Sequence, residues 1–87
     1  MMPGRRPVLP SVDMIHELDT VVLTRGIPEH GLVEGDVGAV AHVYGNGATF
    51  EVEFVAAEGT TVALLTLDRA EIRPMARREI LHVREVA

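Results

Sequence analysis

Apolar and polar residues alternate with a period of two through the middle of the chain, the spacing of half-buried strands. Residues 18–24 (LDTVVLT), 37–44, 49–55 and 60–67 each read as a strand, and 72–75 as a short fifth one edged by Pro74. Residues 25–36 (RGIPEHGLVEGD) form a long first loop, in which Pro28 cannot donate to a ladder. Asp68 to Glu71 suits a single helical turn with Asp68 as its cap. Pro3, Pro7 and Pro10 keep residues 1–13 out of helix and ladder alike. Residues 77–86 (RREILHVREV) fit helical and strand spacing alike, and predict a short helix or terminal extension lying on the rest.

The turns set the register. Gly45-Asn46-Gly47-Ala48 offers Asn-Gly at the centre of a type I′ hairpin, where both residues need φ > 0. Val43 then faces Phe50, Ala41 faces Val52 and Ala39 faces Phe54, all six on one apolar face. On the other face Tyr44 meets Thr49, His42 meets Glu51 and Val40 meets Glu53. A second tight turn at Glu58-Gly59 puts Phe54 opposite Ala63, Val52 opposite Leu65 and Phe50 opposite Leu67. A one-residue slip would send charges into the core, so the sorting supports this pairing.

The expected fold is mostly β: a small five-stranded SH3-like barrel over residues 14–76. An N-terminal tail (1–13) precedes it, and a C-terminal segment (77–87) packs on it. Its outer face is less polar than an exposed face should be. Val40, Tyr44, Val55, Val62 and Leu64 are interleaved there with His42, Glu51 and Glu53. Two readings stand. The C-terminal Ile80, Leu81 and Val83 cover it, with Arg77, Arg78 and Arg84 beside Glu51 and Glu53; or Val40, His42, Tyr44, Glu51, Glu53 and Leu64 form a partner-binding surface. Self-association through this face is open in either case.

Composition narrows the chemistry. An 87-residue chain has room for one domain. With aromatics at 3%, Phe50 and Phe54 are the only large aromatic anchors for a core of Val, Leu, Ile and Ala. There is no cysteine, hence no disulfide, no thiolate nucleophile and no thiolate zinc site. A disulfide-free domain this small suits the cytoplasm. No signal peptide is apparent, and no apolar run approaches the ~20 residues of a membrane helix. The net charge is −5, but residues 13–76 hold eleven acids against three arginines, a local −8. Such a body repels phosphate backbones and favours a basic partner. His16, His30, His42 and His82 are not spaced as metal pairs, Glu29-His30 lies on a loop without a second shell, and no lysine exists to complete a phosphate loop. The chain is therefore expected to be no enzyme and to need no cofactor.

Two resemblances add to this. Leu32 to Val40 (LVEGDVGAV) looks like the glycine-centred turn of the KOW motif of ribosomal and transcription proteins, though Glu29, Glu34 and Asp36 stand where RNA binders are basic. More extensively, Glu17 to Leu23, Pro28-Glu29-His30-Gly31-Leu32, Gly35-Asp36-Val37-Gly38, Val43-Tyr44, Phe50-Glu51-Val52-Glu53-Phe54, Leu65-Thr66-Leu67, Ile72-Arg73-Pro74 and Arg78-Glu79-Ile80 resemble the bacterial family known as domain of unknown function 4926. That likeness implies a small stand-alone protein starting near Met14 and working beside a neighbouring protein, in the manner of an antitoxin or accessory subunit. A more distant likeness is to the SH3-like domain of the nitrile hydratase β subunit and its accessory proteins, for which His30 or His42 would need a second ligand. The leading expectation is a non-catalytic protein-binding module. A KOW-type RNA or ribosome binder and a nitrile-hydratase-accessory-like subunit are the alternatives.

Overall fold

A computed structural model describes residues 14–76, 79–80 and 84–85; the N-terminal tail and the segments 77–78, 81–83 and 86–87 lie outside it. Five strands form one antiparallel sheet: β1 (Thr20–Leu23), β2 (Val37–Val43), β3 (Thr49–Val55), β4 (Thr61–Asp68) and β5 (Ile72–Pro74). The order across it is β4-β3-β2-β1-β5, so the last strand returns to lie beside the first. The sheet does not close into a barrel, since β4 and β5 share no ladder. They are joined by a 3-10 turn, Arg69–Glu71, whose Glu71 carboxylate accepts the Asp68 N–H at 3.0 Å. A second 3-10 turn, Pro28–His30, sits in the long first loop and ends on Gly31 in the left-handed region.

The strands curl around a single cluster that includes Val21, Leu23, Val40, Phe50, Val52, Phe54, Leu67 and Ile72. Ile27 and Leu32 close the first loop over it through an isolated bridge, and Ile15 enters from before β1. Aliphatic side chains do most of the filling, and the only two phenylalanines are buried among them at 1% and 3% exposure.

Between β3 and β4 the pairing is the one the alternation predicts, with Phe50, Val52 and Phe54 opposite Leu67, Leu65 and Ala63. Between β2 and β3 it departs. Val43↔Phe50 and His42↔Glu51 form as expected, but a bulge between Val40 and His42 shifts the rest, giving Val40↔Val52 and Ala39↔Glu53. Ala41 is the extra residue. Val40 is consequently fully buried in the core rather than on the outer face, while Ala39 and Ala41 are exposed rather than facing Phe54 and Val52. The bulge buries a valine in place of two alanines, which removes more apolar surface from water. It also sets Gly38 beneath the core: a Cβ there would lie 2.7 Å from Val52 Cγ1 and 2.9 Å from Phe54 Cε1. Gly38 is needed for space between strands, not for the sharp bend that its place in the KOW-like stretch suggests.

Both hairpin turns differ from the expected two-residue form. Gly47, not Asn46, takes positive φ, and the first turn closes by Gly47 N–H to Tyr44 O at 2.9 Å. The Asn46 side chain instead accepts from Ala48 and Thr49 N–H at 2.8 and 3.1 Å, an Asx-type anchor that does the work of a primed turn. The second turn likewise runs Ala56 to Gly59, with positive φ at Gly59 alone, which spares Glu58 a left-handed backbone. β1 starts two residues later than its pattern suggests, because Leu18 has φ of 75° and is 86% exposed. A β-branched or leucine side chain is costly there, and the turn is held by Leu18 N–H to Val40 O at 2.7 Å and by His16 N–H to Asp19 Oδ2 at 2.8 Å.

Two arginine–carboxylate pairs tie the C-terminal residues down. Arg73 binds Glu79 through both Nη atoms, at 2.8 and 2.5 Å, and Ala76 N–H adds a third bond. Arg84 binds Asp36 and also donates to Gly31 O at 2.8 Å. Arg84 therefore stands on the first loop and not beside Glu51 and Glu53, and Ile80, at 94% exposure, covers nothing. The Arg73 bond first, then the Ala76 N–H, push the Glu79 carboxyl down to about 2 from its ordinary 4.5. A carboxyl lowered on folding stabilises above its unfolded value and loses that effect as pH falls towards the folded one. A carboxyl 13C titration should thus find the Glu79 midpoint near about 2, and Arg73→Gln should return it towards 4.5. An unchanged midpoint in the variant would rule the pair out as its cause.

Candidate functional site

The outer face of β2, β3 and β4 gathers five of the six residues singled out from the sequence: His42, Tyr44, Glu51, Glu53 and Leu64. The sixth, Val40, is excluded by the bulge. The ladder makes His42 and Thr66 the cross-strand neighbours of Glu51, and Ala39 and Leu64 those of Glu53. Tyr44 packs its ring edge-on against His42, centroids 4.7 Å apart at 89°, and its hydroxyl reaches Glu51 Oε1 at 3.4 Å. Glu53 accepts from Thr61 Oγ1 at 2.6 Å. Val62, expected on this face, packs against the core instead.

The alternation does not disclose Glu17. Its carboxylate lies 3.4 Å from His42 Nδ1, brought there by the left-handed turn at Leu18, which the residue types do not announce. Glu17, Glu51 and Glu53 together make the face negative. Among the described residues no arginine pairs with any of them; Arg25, Arg73 and Arg84 are matched instead with Glu71, Glu79 and Asp36. Beside these carboxylates Tyr44, Val55 and Leu64 remain 37%, 49% and 53% exposed. The face therefore offers apolar side chains and, among the described residues, carboxylates without a paired arginine within one sheet surface.

Two open clefts lie elsewhere. One, of about 380 Å³, is lined by Asp19, Thr20, Pro74, Met75, Ala76 and Glu79. The other, of about 310 Å³, runs between the first loop, including Glu29 and His30, and Leu65 to Leu67 of β4. In its wall Arg25 Nη2 meets Glu71 Oε2 at 2.5 Å, and that hydrogen bond chiefly holds the Glu71 carboxyl below its usual range. His30 and Glu29 are both exposed and show no mutual bond that would hold them as an acid–base pair. Among the described residues no cluster of three or more His, Asp or Glu is placed to hold a metal ion, and no helix is long and apolar enough to cross a membrane.

The family described as "Domain of unknown function (DUF4926)" matches residues 17–74, a span that contains all five strands and the outer face. No curated protein and no solved structure matches the chain.

Proposed function

The chain belongs to the DUF4926 family, and from its outer face we propose that it is a non-catalytic protein-binding module, of the antitoxin or accessory-subunit kind, acting in the cytoplasm with a neighbouring protein. The observation that supports this is the juxtaposition of exposed Tyr44 and Leu64 with Glu17, Glu51 and Glu53, carboxylates that no described arginine pairs with. Interfaces combine aromatic and aliphatic anchors with charges that complement the partner. The partner favoured is therefore a protein presenting an apolar patch ringed by Arg or Lys. RNA is disfavoured by the net −8 of residues 13–76, and among the described arginines Arg25, Arg73 and Arg84 would have to leave their carboxylates to meet phosphates.

The test is co-purification of the tagged protein from its own cells at moderate salt, with mass spectrometry of what comes with it. One stoichiometric basic protein, retained by wild type and lost with Tyr44→Glu, is the expected result. Tyr44 is exposed, so this change should move stability by no more than about 0.5 kcal/mol, and the melting curve checks that folding is intact. Recovery of RNA that washes off steeply with salt would instead bring back the KOW-type reading.

A further inference from the structure

The two edges of the sheet are protected very differently. β5 is three residues long and carries Arg73 and Pro74, which has no N–H to offer. β4 is eight residues long, and its first seven, TVALLTL, contain no charge, proline or glycine. Natural sheets usually blunt an open edge with one of these devices; β4 has only a register shift at its start, opposite Val55.

The direction of its backbone groups follows from two bonds. Tyr44 N–H donates to Thr49 O, and Arg69 N–H to Ala48 O. Successive residues of a strand address opposite neighbours, so Thr49, Glu51 and Glu53 bond towards β2, and Phe50, Val52 and Phe54 towards β4. Their partners Ala63, Leu65 and Leu67 look inward to β3. Leu64 and Thr66 then direct N–H and C=O outward, where no described strand lies, whereas Val62 is the extra residue of the register shift opposite Val55 and leaves the alternation. The second cleft agrees: Leu65, Thr66 and Leu67 all line it, and successive residues, with side chains on alternate faces, share a wall only along the strand's edge.

We propose that a second copy of this chain adds its β4 to this edge, antiparallel, about a two-fold axis at Leu64. In that register Leu64 pairs with Leu64, so the central rung uses the outward groups of both strands, and the outward groups of each Thr66 flank it opposite the bulged Val62. The pairing suits a copy of the same chain because its charges stay apart. Asp68, the one charged residue of β4, comes against the Thr61 end of the other strand, so no carboxylate meets another within the paired strands. Approach by the outer face would instead set Glu17, Glu51 and Glu53 against their equals. The added strand also covers Leu64, now half exposed, and its first residues enter the cleft beside Arg25 to His30.

Sedimentation equilibrium of the full chain over a wide concentration range tests this. Wild type should rise from the 9.5 kDa chain mass towards twice that value. Leu64→Pro removes the central outward N–H, at an edge position where proline is tolerated, and Leu64→Lys sets two ammonium groups at the axis. Both should weaken the dimer on the order of a hundredfold, with melting in dilute solution unchanged, while Tyr44→Glu leaves the dimer intact. Amide exchange at Leu64 and Thr66 should slow with concentration in wild type. A chain that stays at 9.5 kDa throughout, or a dimer that survives both Leu64 changes or dissolves on Tyr44→Glu, overturns the proposal.

Discussion

Phe54→Ala should destabilise the domain by about 3–5 kcal/mol and leave much of it unfolded at physiological temperature. Phe54 is 3% exposed and pairs with Ala63 across the ladder. Its ring lies directly over Gly38, where a Cβ would come within 2.9 Å. Ala63 and Gly38 are too small to fill the space the ring leaves. A domain of this size holds roughly 5–15 kcal/mol in all, so the loss is a large fraction of the whole. Urea unfolding followed by circular dichroism measures it. Tyr44→Ala, which trims the one exposed aromatic, should move the midpoint little. Equal midpoints for Phe54→Ala and wild type would mean that the β3 face is assigned the wrong way round.

The second large effect is expected from a single methyl group. Gly38→Ala places a Cβ 2.7 Å from Val52 Cγ1, 2.9 Å from Phe54 Cε1 and 3.1 Å from Glu53 O. Two of these neighbours are packed core side chains and the third is backbone, so overpacking should cost about 1–3 kcal/mol. The change next door, Ala39→Ser, lies on the exposed side of the same strand and should stay within about 0.5 kcal/mol. An unbulged β2 predicts the reverse order, with Ala39 inside and Gly38 outside, so the pair of variants decides between the two registers. Combining Gly38→Ala with Phe54→Leu should cost less than the sum of the two, because the smaller side chain relieves part of the clash; the same urea experiment reads this.

That register shows where the sequence is readable and where it is not. β3 alternates TFEVEFV, charge against hydrophobe, and its pairing with β4 follows from the residues alone. β2 reads VGAVAHV, apolar or small at nearly every position, so either parity is consistent with a buried face. What decides is tertiary: the space above Gly38 that Val52 and Phe54 occupy. The outer-face residues His42, Tyr44, Glu51, Glu53 and Leu64 are legible because they lie on the turn side of the bulge or on strands that have none there. Val40 lies beyond it and is misplaced by one residue. Glu17 is hidden by the left-handed backbone at Leu18, which leucine does not signal. Asp36 reads as a turn former, yet its carboxylate takes Val33 N–H at 2.9 Å and the Arg84 guanidinium together, a contact between distant parts of the chain that spacing cannot reveal.

The return of β5 to β1 carries a consequence in time. β2, β3 and β4 are joined by tight turns and can pair as soon as each is made, since their contacts are local. β1 is different. Val21, Val22 and Leu23 are all buried, yet Val21 must wait for Pro74 and Leu23 for Ile72 before the strand has its second neighbour. On the ribosome β1 emerges before the other four described strands and is therefore the last of the five to be completed. Until the final third of the chain has been synthesised, this short apolar segment remains open on one side to whatever else in the cell recognises a lone strand.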